Sequence, residues 1–125
     1  MHKDLSNQAV KILKNLPEVS KIILYGSVLR GNYRKDSDID LAIICNDLYK
    51  IFPLDMEGMP LGLRQNIDNS LKPLKEKFKI KFHVPTYWEY ELKNGIELYS
   101  TKDSKRNQLS DIGIIVYDIY DNSNK

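Results

Sequence analysis

The chain has 125 residues, with 19 Lys and Arg against 17 Asp and Glu for a net charge of +2, a length that fits one compact domain. Its 42% hydrophobic and 29% charged residues exclude a disordered chain, and the near-neutral balance provides no general field for a nucleic-acid or anionic-membrane partner. One cysteine, Cys45, and two histidines exclude an intramolecular disulfide framework and a Cys/His structural zinc cluster.

The first residues carry charges through their apolar positions, and no run of about 18 apolar residues suggests a membrane span. A soluble, cytoplasmic protein in a reducing setting is expected. Over 5–16, Leu5, Ala9, Val10, Ile12, Leu13 and Leu16 recur at helical spacing until Pro17 stops the pattern, which predicts an amphipathic helix. The short apolar run 22–25 is rich in strand formers and closes on Gly26. Ser27 then offers a cap for a short helix over 27–33.

A second strand is expected over 38–44, with Ile39, Leu41 and Ile43 turned one way and Asp38, Asp40 and Ala42 the other. Pro53, Gly58, Pro60 and Gly62 punctuate 46–62, whose Leu, Met and Phe residues suit a packed flap or short turns. Ile67, Leu71, Leu74 and Phe78 predict a helix over 63–78, with Pro73 expected to kink it or to shift its start. Alternation predicts a strand over 78–84, closed by Pro85. A short helix over 87–93 and a strand over 96–99 follow. Ile112, Ile115, Val116, Ile119 and Tyr120 mark the apolar face of a C-terminal helical extension over 104–120, which either closes the core or makes a subunit contact. The expected organisation is a single domain over 1–125 with its core at about 5–99.

The chemistry concentrates in 25–44, YGSVLRGNYRKDSDIDLAII. Two residues along a strand separate side chains on one face by roughly 6 to 7 Å, so Asp38 and Asp40 can converge on a metal ion. Mg²⁺ prefers hard oxygen ligands and often shares its shell between carboxylates and substrate phosphates. Gly26 lets the backbone approach phosphate without a Cβ clash, and Ser27 adds a hydroxyl beside free backbone donors.

The pattern Gly26–Ser27, Arg30–Gly31, then Ser37–Asp38–x–Asp40–Leu41 resembles the minimal nucleotidyltransferase family, within the larger DNA polymerase beta-like nucleotidyltransferase superfamily. The resemblance implies an α/β (α+β) nucleotidyltransferase fold, a small mixed β-sheet packed with helices. It further implies that Asp38 and Asp40 hold two Mg²⁺ ions and that Gly26 and Ser27 grip the triphosphate of ATP. Arg30, an arginine on the short helix, is read either as a phosphate contact or as a member of a structural ion pair. The reaction implied is attack of a bound hydroxyl on the α-phosphate with loss of pyrophosphate. In such systems the protein is the antitoxin half of a toxin–antitoxin pair, and the target is a tyrosine on a helical partner.

The family's third acidic residue belongs on a later strand, where this chain has KIKFHVP over 79–85 and no carboxylate. Lys79, Lys81 and His83 share a face by alternation, and His83 is the favoured replacement because a neutral imidazole can ligate a metal or accept a proton. The alternative is a catalytically weakened subunit of the same fold that acts by binding its partner. Tyr87, Trp88 and Tyr90 are expected in the core or at an interface, with base stacking as the second option. The lysines at 72, 75, 77, 79 and 81 are read as a solvated face, Cys45 as a buried small hydrophobe, and a homo-oligomer as compatible with the small size.

Overall fold

A computed structural model describes residues 2–90 and 94–101. The element order is α1 (His2–Leu13), β1 (Val19–Tyr25), α2 (Gly26–Arg30), β2 (Ile39–Cys45), a 3-10 helix (Asp47–Ile51), α3 (Leu63–Phe78), β3 (Phe82–His83), β4 (Thr86–Tyr87) and β5 (Ile96–Ser100). The expected α+β architecture is therefore present. The sheet runs β3-β2-β1-β5, with β4 also on β2. β1 pairs antiparallel with β2 and β5, whereas β3 and β4 lie parallel along the outer edge of β2.

Side-chain alternation divides the sheet into two faces. Ile22 and Leu24 of β1 join Ile39, Leu41, Ile43 and Cys45 of β2 in the main core, against Leu5, Ala9, Val10 and Leu13 of α1 and Leu63, Ile67, Leu71 and Leu74 of α3. These helical residues recur at spacings of three and four because that spacing lines one face of a helix. On the opposite face Ile23, Ala42 and Ile44 form a smaller buried cluster, with Tyr25 packed on it. That second face also carries Asp40.

Several local expectations are corrected. The first helix starts at His2 and ends at Leu13, because the His2 ring is held inside: it stacks on Tyr33 at 4.7 Å between centroids and its Nε2 donates to the Ser37 carbonyl at 3.1 Å. Pro73 lies inside a continuous α3; its missing N–H concerns only the carbonyl of exposed Asn69, where water can substitute. The strand expected over 78–84 shrinks to Phe82–His83, since α3 runs to Phe78 and Lys79 caps it in the left-handed region at φ 51. Lys79 therefore does not share a strand face with His83. The helix expected over 87–93 is absent among the described residues, because Tyr87 pairs with Ile44 in β4 and 88–90 are non-helical.

In the flap, Leu54 and Pro60 form an isolated bridge, and Asp55 Oδ1 accepts from the backbone N–H groups of Glu57 and Met59. Its apolar side chains are mostly turned outward: Leu48, Ile51, Phe52, Leu54, Met56 and Leu61 are exposed. Trp88 holds the flap from the other side, donating its indole N–H to the Gly58 carbonyl at 2.7 Å. Cys45 is buried as expected, and burial first, then the Glu18 carboxylate, push its thiol up to about 11. The extension expected over 104–120 lies outside the described residues. No helix among the described residues is long and apolar enough to cross a membrane.

Candidate active site

The antiparallel register of β1 and β2 sets Tyr25 opposite Asp40. Because β1 runs straight into α2, the same register lays the Gly26–Ser27 turn beside the first residues of β2. Gly26 has φ +77, and a Cβ there would meet the Asp40 carboxylate, its Cγ at only 2.9 Å. The carboxylate thus rests against the bare Cα of Gly26, a close approach that only glycine permits. Ser27 follows inside the first turn of α2; the N-cap is Tyr25, which makes no side-chain cap bond. The cap predicted at Ser27 is thereby corrected, since Gly26 already carries the turn and the helix begins one residue earlier. The helix ends at Arg30, short of the expected Tyr33, because Gly31 takes φ 82 and accepts the left-handed conformation that stops it.

Asp38 is exposed, one residue ahead of β2. The loop that presents it is tied down at Ser37, whose hydroxyl accepts from the Arg34 N–H at 2.8 Å and whose carbonyl accepts from His2. Asp40 is partly buried, with 21% of its side chain exposed, while His83 is 61% exposed. The parallel register of β3 puts His83 next to Asp40. Its Nδ1 lies 3.2 Å from Asp40 Oδ1 and 3.2 Å from the Tyr25 hydroxyl.

One imidazole nitrogen therefore faces both an acceptor and a hydroxyl. Nδ1–H can donate to the carboxylate, or the Tyr25 hydroxyl can donate to the Nδ1 lone pair. Tyr25 stays protonated for either role: burial foremost, then the negative charge of Asp40 and the Tyr87 and Tyr90 phenols, push its pKa up to about 12. Since the ordinary phenol value is 10.0, the folded protein holds this proton more tightly than the unfolded chain. The associated stabilisation is complete below that value and is lost as pH rises through about 12. In an alkaline absorbance titration, the Tyr25→Phe variant should lack one of the last tyrosines to ionise; a lost transition at the ordinary phenol pKa would contradict the assignment.

Among the sequence-predicted residues, the structure brings Gly26, Asp40 and His83 together, with Ser27 next in the chain after Gly26 and Asp38 just ahead of the strand. Arg30 ends α2 as an exposed residue. Among the described residues no three His, Cys, Asp or Glu side chains form a group able to hold a metal by themselves. Two carboxylates, with hard oxygen donors, nevertheless suit Mg²⁺ that completes its shell with phosphate oxygens. Tyr25 was not singled out from sequence. The available signal was its place immediately before Gly26, on the alternate face from Ile22 and Leu24 and hence on the Asp40 side.

A family model described as Polymerase beta, Nucleotidyltransferase matches residues 7–105. No curated protein matches the chain. Similar solved structures include a toxin–antitoxin with AMP-PNP, at TM-score 0.51 and 18% identity, covering 85% of this chain and 79% of that one. A mutant of the toxin–antitoxin MntA–HpeT is similar at TM-score 0.52 and 19% identity, covering 80% and 77%. A second MntA–HpeT mutant has TM-score 0.51 and 21% identity, covering 81% and 76%. At these identities the structural likeness speaks for the fold.

Proposed function

We propose, on the premise that this chain belongs to the polymerase beta nucleotidyltransferase family, that it transfers AMP from ATP to a tyrosine hydroxyl of a helical toxin-like partner protein. The observation that carries this reading is the Tyr25–Asp40 register, which holds the Gly26–Ser27 turn against a strand-borne carboxylate. Gly26 and Ser27 would bind the triphosphate through backbone N–H groups and the Ser27 hydroxyl. Asp38 and Asp40 would hold Mg²⁺, expected as two ions, which polarises the α-phosphate and lowers the pKa of the attacking hydroxyl.

In the transfer itself the acceptor oxygen forms a bond to the α-phosphorus, the bond to the β-phosphate oxygen breaks, and pyrophosphate leaves. His83, solvent-exposed and oriented through Nδ1 by Asp40 and Tyr25, is suited to take the acceptor's proton in place of a third carboxylate. The protein partner is supported by the toxin–antitoxin assemblies among the similar structures and by the exposed apolar residues of the flap, which offer a protein contact.

The second reading, a subunit that binds its partner without modifying it, draws on the absence of a three-donor metal group among the described residues. Mass spectrometry of the candidate partner after incubation with this chain, Mg²⁺ and ATP separates the two. Transfer predicts added AMP on a partner tyrosine and its loss in the Tyr→Phe partner. Stable complex formation without added AMP is the result the second reading predicts.

A further inference from the structure

We propose that Tyr87 and Tyr90 form an aromatic platform that stacks the nucleobase of the nucleoside triphosphate, on the sheet face that begins at Asp40. The inference rests on the nucleotidyl-transfer reading and extends it from the phosphates to the base.

Strand register supplies the placement. His83 of β3 pairs with Asp40, and Tyr87 of β4 pairs with Ile44. Paired residues in neighbouring strands share a face, as do positions 40, 42 and 44 along one strand. Tyr87 is therefore on the same face as the Asp40 carboxylate. Four residues of extended strand, about 13 Å, separate Asp40 from Ile44, a span comparable with that from the phosphates of an extended nucleotide to its base. Tyr25 packs on the buried apolar cluster between them, and its hydroxyl lies within electrostatic reach of Asp40, Tyr87 and Tyr90 alike.

The two rings are positioned as a pair, with centroids 5.2 Å apart and planes inclined by 33°. Each residue is about one-third exposed, Tyr87 37% and Tyr90 36%. Trp88 between them behaves differently: it packs against the main core and bonds to Gly58. Because the chain leaves the strand after Tyr87, strict alternation ends there, and Tyr90 pairs with Tyr87 while the indole between them goes to the core. Core packing accounts for Trp88, whereas the partly exposed pair starts opposite Ile44, further along the sheet face that carries Asp40. Every base has a π-face, so stacking of this kind favours the larger purines without reading their edges.

Calorimetric titration of the full chain in Mg²⁺ with AMP-PNP and, separately, with tripolyphosphate tests the assignment. Tyr87→Leu and Tyr90→Leu should each weaken AMP-PNP binding about tenfold while leaving tripolyphosphate affinity unchanged, and Tyr87→Phe should bind both ligands as the parent does. Tyr90 lies outside any strand, so its variant carries the test if Tyr87→Leu loosens β4. Unchanged AMP-PNP affinity in Tyr90→Leu, or equal losses for both ligands, overturns the platform and leaves the transfer reading standing. A parent chain that binds neither ligand overturns both.

Discussion

Gly26→Ala should reduce nucleotide binding and transfer by at least about a hundredfold, a loss of the size seen when a single preorganised charge-stabilising group is removed from an active site. Two costs combine at this position. The left-handed backbone at φ +77 disfavours any Cβ, by roughly 1–2 kcal/mol. The added methyl also strikes the Asp40 carboxylate, which must swing away from the place where the metal is expected. Gly31 separates the two effects, since it has φ +82 but open space around its Cα. Gly31→Ala should show a similar loss in thermal or denaturant stability and retain most of the activity. Equal activity losses in the two variants would mean that backbone strain, rather than displacement of Asp40, explains Gly26.

Asp40→Asn should have the largest effect of any single side-chain change. This carboxylate packs on Gly26, meets His83 Nδ1 and raises the Tyr25 pKa. Asparagine keeps the shape, so the fold and the Gly26 contact survive. It removes the negative charge that attracts a divalent cation and orients the imidazole, for an expected loss of at least about a hundredfold in transfer. The Tyr25 phenol should then ionise at a lower pH than in the parent, because one of the causes of its raised pKa has gone. Asp38→Asn should lower transfer as well but leave the Tyr25 titration where it was. Coupled loss of activity and movement of the tyrosine transition is the signature of Asp40; a folded Asp40→Asn variant with parental activity would remove it from the metal site.

The sheet centre and the site's first half were legible because their signals are local and redundant. Alternation from Ile39 to Ile43 assigned the core face, and Gly26–Ser27 followed by Asp38 and Asp40 placed turn and carboxylates at the ends of adjoining strands. The family resemblance drawn from those residues agrees with the match over 7–105. The outer edge was less legible. β3 and β4 have two residues each, too few for periodicity to mark their limits, and their parallel pairing with β2 is a tertiary fact. Lys79 shows the consequence: alternation grouped it with His83, whereas it caps α3. The bond between Tyr25 and His83 joins residues 58 positions apart and depends on two registers at once. The exposed flap likewise departs from its apolar composition, because Leu48, Ile51 and Met56 sit on a short 3-10 helix and turn that present them outward.

The central claim is covalent transfer from ATP, and the most direct measurement is label from α-phosphate-labelled ATP incorporated into the partner protein. The parent chain and the folded Asp38→Asn/Asp40→Asn variant should be compared with Mg²⁺ present and with it chelated. The account predicts label only with the parent chain and Mg²⁺. Equal labelling by the double variant, or no label from a parent chain that binds the partner and ATP, would contradict it.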